Sequence, residues 1–173
     1  MPASGLEPQR PVPRRVVVSD SGPLICLGRL DLLRLLPALF ADVQVPAQVL
    51  RECAARPGTD DAARINAAIA QGWLTPCGVQ VMSDGPLGRG ERAAMARALT
   101  IGAGLLTDDQ EARLHAETLR LFVVGTLGVL VRSKRVGLLV SLAPLIHQLR
   151  GSGQWFGSGV VAQVLAAAGE APE

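Results

Sequence analysis

Apolar residues along this chain alternate between two textures. Short unbroken runs end in turn signals, and longer stretches bring apolar positions back every three or four residues. Val16-Val17-Val18 is the first run; it meets Ser19-Asp20 and then the turn Ser21-Gly22-Pro23. A β-branched run of that length reads as a short buried strand. Val43–Val45, closed by Pro46, Trp73–Thr75, Leu105–Thr107 and Leu121–Val124 read the same way. Between them the helical spacing predicts helices over Leu24–Leu30, Leu32–Phe40, Ala47–Ala55, Ala62–Gln71, Glu91–Leu99, Glu111–Leu119, Leu127–Arg135 and Val140–Arg150. Proline suits a helix opening, so Pro46 introduces the third of these. Thr59-Asp60-Asp61 supplies a cap for the fourth, whose Ile65 and Ile69 share a face. Gly85–Gly90 reads as a loop, and a last helix, Val160–Ala168, stops at Gly169. Short apolar strands alternating with helices predict an α/β chain, a three-layer α/β/α sandwich around a central, mostly parallel sheet. The expected organisation is a flexible Pro-rich arm over 1–14, one domain over 15–150, and a helical extension over 151–173 packed on that domain.

The chain's 173 residues suit one core. Composition then narrows the partners. Charged residues are only 18% and mean hydropathy is +0.30, so some apolar surface should be covered by a partner or a second copy. A net charge of +2 and 3% aromatics, with no Tyr, argue against a basic coat or a base-stacking platform. Cys26, Cys53 and Cys77 are far apart and form no C-x-x-C, which removes a zinc site and suggests buried thiols in a reducing cytosol. The N-terminal stretch lacks the apolar segment of a signal peptide, and no apolar run is long enough to span a bilayer. A cytoplasmic protein without membrane association is expected.

The acids change the picture most. Asp20 falls at the carboxyl end of the first strand, and Asp108-Asp109 at the carboxyl end of a later one. Ligands of open α/β sheets bind outside those ends. Glu52 lies on the helix after the second strand, and Glu91 opens the helix after the glycine-rich loop. Each has a plain alternative reading: Asp20 as a turn residue, Glu52 as a solvated helix residue, Glu91 as a helix-dipole partner, Asp108-Asp109 as an N-cap pair. Their joint placement favours convergence. Two carboxylates about 5 Å apart repel by roughly 3 kcal/mol at an effective dielectric of about 20. Several together need a cation, and oxygen-only ligands select Mg²⁺ or Mn²⁺. Such a cage suits phosphodiester hydrolysis.

The residues around these acids resemble the elements of PIN-domain nucleases. They are Val17-Val18-Ser19-Asp20-Ser21-Gly22-Pro23, Val45-Pro46-Ala47-Gln48-Val49-Leu50-Arg51-Glu52, Gly90-Glu91-Arg92-Ala93-Ala94, Leu105-Leu106-Thr107-Asp108-Asp109 through Arg113, and Gly125-Thr126-Leu127-Gly128-Val129-Leu130. Each element is weak alone, and five in order are a strong signal. The nearest likeness is to a subfamily akin to VapC-type toxins. The resemblance implies Mg²⁺- or Mn²⁺-dependent RNA cleavage, often as the toxin of a toxin–antitoxin pair with a cognate antitoxin protein, and often as a homodimer. It carries a catalytic tetrad onto Asp20, Glu52, Glu91 and one of Asp108 or Asp109, with Asp108 favoured because it comes first off the strand. Asp20, Glu91, Asp108 and Asp109 are the metal-ligand candidates, and Glu52 would orient or deprotonate the attacking water. Ser21 and Thr107 would contact a phosphate oxygen or a water. The competing expectation is a PIN-like fold that has lost activity and serves as a binding or scaffolding module.

Other features are secondary. Arg132, Lys134 and Arg135 form the densest basic cluster, with Arg89, Arg92 and Arg113 nearer the acids; each reads as a phosphate contact or as a solvated helix face. Trp155, Phe156, Val160, Val161, Val164 and Leu165 suit packing of the last helix onto the domain. His115 and His147 lack ligand spacing. A haloacid-dehalogenase-like phosphatase would need an acid where Gly22 stands, and Ser21-Gly22-Pro23 is no dinucleotide-binding loop.

Overall fold

The computed structural model describes residues 14–79 and 85–171. Apart from Arg14, the arm expected at 1–14 lies outside the described residues. Arg14 itself donates to the Pro37 carbonyl at 3.1 Å.

The described chain runs β1 (Val16–Ser19), α1 (Ser21–Arg29), α2 (Leu35–Leu39), β2 (Asp42–Pro46), α3 (Ala47–Ala54), α4 (Asp60–Ala70) and β3 (Thr75–Cys77). It continues with α5 (Arg89–Ile101), β4 (Gly104–Leu106), α6 (Gln110–Thr118), β5 (Val123–Val124), α7 (Thr126–Arg135), α8 (Ala143–Gly151) and α9 (Ser158–Ala167). The strands form one sheet in the order β3-β2-β1-β4-β5, and every pairing is parallel. This is the expected three-layer arrangement, and its cause is visible in β1. Side chains alternate across a strand. Val17 therefore joins the larger apolar cluster, with Leu24 and Leu27 of α1, Val49 of α3 and Leu130 of α7. Val18 faces the other way, against Ala94, Met95 and Ala98 of α5 and Ala112 of α6. Leu105 and Leu106 of β4 divide between the same two clusters. Strands buried on both faces are mostly apolar, which is why the central β1 and β4 read as nearly unbroken runs.

The departures from expectation at α1, α2, β3 and α8 each have a local reason. The helix expected from Leu24 begins at Ser21, because Asp20 caps it and Pro23 falls in the first turn, where its missing N–H is no loss. The helix expected over Leu32–Phe40 shortens to α2, after Asp31 turns through a positive φ of 56°. The strand expected at Trp73–Thr75 moves to Thr75–Cys77, because Trp73 N–H is taken by the Ala68 carbonyl in closing α4 across Gly72. The helix expected from Val140 begins at Ala143, and its N-terminal N–H groups at Leu142 and Ala143 are met by the distant Glu170 carboxylate.

The strand order decides where chemistry can occur. From β1 the chain crosses to β2 on one side, and β4 later returns to the other side. That reversal leaves a crevice at the carboxyl ends of β1 and β4.

Candidate active site

Asp20 leaves β1 with its N–H bound to the Leu106 carbonyl at 3.0 Å, which ties it to the end of β4. As N-cap of α1, its Oδ1 accepts from Gly22 N–H at 3.1 Å. Its Oδ2 accepts from the Thr107 hydroxyl, and that hydroxyl accepts in turn from Asp109 N–H at 3.2 Å. The residue is only 3% exposed. Burial, then the Asp108 and Glu91 charges, push its carboxyl up to about 8, against the opposing hydrogen bonds from Thr107 and Gly22.

Asp108 stands across from it. A Cβ on Gly22 would lie 3.6 Å from Asp20 Oδ1 and 3.7 Å from Asp108 Oδ2, so the two carboxylates border one gap. Asp108 Oδ1 accepts from Thr126 N–H at 2.7 Å, and Oδ2 from the Thr126 hydroxyl at 2.5 Å. Burial raises its carboxyl above the ordinary range; Thr126, the Arg113 guanidinium and the Cys26 thiol pull the other way. The neighbouring Asp109 is used differently. Its Oδ1 accepts from Ala112 N–H at 2.7 Å and caps α6. Of the adjacent pair, Asp108 is therefore the one brought beside Asp20, and Asp109 is turned to its own helix.

The glutamates reach the region from α3 and α5. Glu52 Oε1 accepts from Gln48 at 3.2 Å, and Oε2 receives a long contact of 3.4 Å from Ser21. Both glutamates lie against the first turn of α5. A Cβ on Gly90 would sit 2.2 Å from Glu52 Oε2, and one on Gly88 would sit 2.0 Å from Glu91 Oε2. A Cβ at either place would displace the end of a glutamate side chain, and the positive end of the α5 dipole favours the two anions there. Among the described residues none of the four carboxylates forms an ion pair with Lys, Arg or His; the pairs present are Arg56–Asp61, Arg64–Asp31 and Lys134–Glu170.

The donor chemistry fits a hard divalent cation: oxygen donors only, like charges crowded together, and glycines where a Cβ would close the space. Among the described residues no three Asp, Glu, His or Cys side chains stand close enough to form a ready-made cage. The gap shared by Asp20 and Asp108 is therefore the nucleus of the site, with Glu52 and Glu91 at its side.

Several side chains behave otherwise than expected. The Thr107 hydroxyl gives its one hydrogen to Asp20, so it holds a carboxylate and is not free for phosphate. The basic cluster on α7 is taken up by structure. Lys134 pairs with Glu170 at 2.6 Å, Arg132 lies over the rings of Phe40 and Phe122, and Arg135 reaches the Ala167 carbonyl. Arg113 lies at the acids and donates to the Thr107 carbonyl at 3.3 Å. Sequence reasoning gave no role to Thr126 or Cys26. Thr126 carried a signal in its place within the Gly125–Leu130 element of the PIN resemblance, directly after the glycine that follows β5; Cys26 carried none for the site.

A family model described as PIN domain matches residues 16–170, nearly the whole described chain. The chain belongs to the PIN-domain family. PIN domains are typically nucleases. A search of solved structures finds the same fold in a PilT N-terminus domain protein from the hyperthermophilic archaeon Sulfolobus solfataricus, with a TM-score of 0.51 and 17% identity, over 68% of this chain and 92% of that one. No curated protein matches the sequence. Among the described residues no helix is long and apolar enough to cross a membrane.

Proposed function

We propose that this PIN domain is an Mg²⁺- or Mn²⁺-dependent endoribonuclease that hydrolyses RNA phosphodiester bonds, the toxin of a toxin–antitoxin pair held in check by a cognate antitoxin protein. The observation that carries this reading is the Asp20–Asp108 pair, two carboxylates crowded at the sheet's switch point with no ion-pair partner among the described residues. Asp20 and Asp108 would hold the cation, with Glu91 beside them. When bound, the ion supplies charge neutralisation and a Lewis acid that makes water nucleophilic near neutral pH.

The chain's own residues do the rest. Glu52 orients the attacking water and takes its proton. The water oxygen bonds to phosphorus in line, the bond from phosphorus to the 3′ oxygen breaks, and that oxygen takes a proton from solvent water. The products carry a 5′-phosphate and a 3′-hydroxyl. Thr107 and Gly22 keep Asp20 oriented, and Arg113 is placed to meet a phosphate oxygen. The exposure of Val136, Val140, Trp155 and Val160 supports a surface covered by an antitoxin or by a second copy in a homodimer.

Cleavage of structured and unstructured RNA, with Mg²⁺, Mn²⁺ or EDTA and with Asp20→Asn beside the native chain, tests the reading. Metal-dependent cutting lost in the variant supports it. Cutting retained in Asp20→Asn overturns the assignment. A second reading, a binding module without catalysis, has one observation on its side: the acids do not form a closed cage as they stand. No cutting together with no Mn²⁺ binding by calorimetry would favour it.

A further inference from the structure

Asp108 is held in a way that Asp20 is not. Both of its oxygens are engaged by one residue, Thr126, through the backbone N–H to Oδ1 at 2.7 Å and through the hydroxyl to Oδ2 at 2.5 Å. Thr126 is the first residue of α7 and is fully buried. α7 has no cap from its own N-cap residue, Gly125, so Asp108, eighteen positions upstream, supplies the acceptor there. Gly125 permits the approach. A Cβ on it would lie 2.8 Å from Asp108 Oδ1 and 3.0 Å from the Thr107 carbonyl. Two donors on two oxygens fix the rotation of a carboxylate plane as well as its position, which one donor cannot do.

We propose that Thr126 is a positioning residue, which sets the orientation of the Asp108 carboxylate across the gap from Asp20. This rests on the reading of that gap as a divalent-cation site. A merely structural role is the alternative, in which the Thr126 hydroxyl only helps to start α7.

The test compares Thr126→Val, which keeps the backbone donor and deletes the hydroxyl, with Thr126→Ser, which keeps both. Thr126→Ala makes the same deletion should the second methyl of Val prove too large for this buried place. Three readouts are taken on the full chain: Mn²⁺ binding by calorimetry and electron paramagnetic resonance, the kcat and KM of RNA cleavage, and a crystal structure of each metal-free variant. The expected result for the deletion variants is Mn²⁺ affinity weakened about tenfold or more, kcat reduced with KM within about twofold, and a rotated or disordered Asp108 carboxylate. Thr126→Ser should restore all three. A folded Thr126→Val or Thr126→Ala with native Mn²⁺ affinity and an unmoved Asp108 carboxylate overturns the proposal. Native protein that neither binds Mn²⁺ nor cuts RNA overturns the cation-site reading instead. In that event the Asp108 orientation in the variants still decides whether Thr126 sets it: rotation restored by Ser upholds that, and an unmoved carboxylate defeats it.

Discussion

Two parts of this molecule gather donors around carboxylates, and they treat them in opposite ways. At the end of α9, Glu170 is one acid with a full set of donors. Lys134 meets its Oε1 at 2.6 Å with Leu142 N–H at 2.7 Å, and Ser141 and Ala143 N–H meet Oε2 at 2.8 and 3.0 Å. Burial alone would raise its carboxyl, but the Lys134 pair and the three other donors outweigh it and hold it at about 2. At the switch point, Asp20 has two hydrogen bonds, no ion-pair partner and acidic neighbours, and its carboxyl is pushed up to about 8. The first arrangement is complete and fastens α7, α8 and the end of α9 together. The second leaves its acids without an ion-pair partner among the described residues. An acid that is satisfied within the chain contributes to stability, whereas acids left crowded and short of partners point to a ligand.

The largest expected effect comes from neutralising one side of this comparison. Asp20→Asn should reduce RNA cleavage by about a thousandfold or more, several kcal/mol of transition-state stabilisation. The same variant should melt no lower than the native chain in EDTA above about pH 8, where the native Asp20 carboxyl is forced to carry a buried charge; parallel cleavage and melting assays would reveal a loss of fold instead. The opposite pattern is expected for Glu170→Gln. It breaks a partly exposed pair and its attendant hydrogen bonds, at a cost of about 1–2 kcal/mol in urea unfolding, with cleavage at 25 °C within about twofold. Equal losses of activity in the two variants would erase the contrast.

The two acids should also separate by pH. Asp20 holds its proton more tightly in the folded chain than in the unfolded one, so its contribution is full below about 4. That contribution is lost as pH rises toward about 8. Glu170 is the reverse: its contribution is full above the ordinary glutamate range and is lost as pH falls toward about 2. Unfolding free energies in EDTA from pH 4 to 9 should therefore decline more in the native chain than in Asp20→Asn. Carried down from pH 4.5 to about 2, the same titration should show a smaller acid-side loss in Glu170→Gln.

The smallest stability effect is expected at Gly90. Alanine there gains about 0.5–1 kcal/mol of helix propensity, less the cost of displacing Glu52. Its Cβ falls 2.2 Å from Glu52 Oε2. A chain that melts within a few degrees of native yet cuts RNA about tenfold more slowly would place Glu52 in the chemistry; unchanged cleavage would remove it.

Much of the fold was legible because its determinants are local. Unbroken apolar runs at Val16–Val18 and Leu105–Leu106 read as strands buried on both faces once helices flank them, and Val43-Gln44-Val45 reads as a strand by its β-branched residues. The places of Asp20 and Asp108 at strand ends followed from the same pattern. Local rules failed where two readings were equally good or where the partner was remote. Either member of Asp108-Asp109 could cap α6 or face the cleft, and only the approach of Thr126 and Gly22 to the first separates them. Arg132, Lys134 and Arg135 looked like a solvated or phosphate-binding stripe. Lys134 is instead paired with an acid 36 residues away, and Arg132 covers two aromatic rings.

By itself, then, the sequence determined the alternation of strands and helices, the parallel sheet, the family, and the four acids worth watching. Hydrophobic periodicity and strand-end position are properties of neighbouring residues, and neighbours are what a sequence records. Tertiary structure alone decided which acids share a gap, which one receives two donors from Thr126, and which one is neutralised by Lys134. Hydrogen bonding and charge act through space over a few ångströms, and those distances exist only after β4 is laid beside β1 and α9 is brought back to α7.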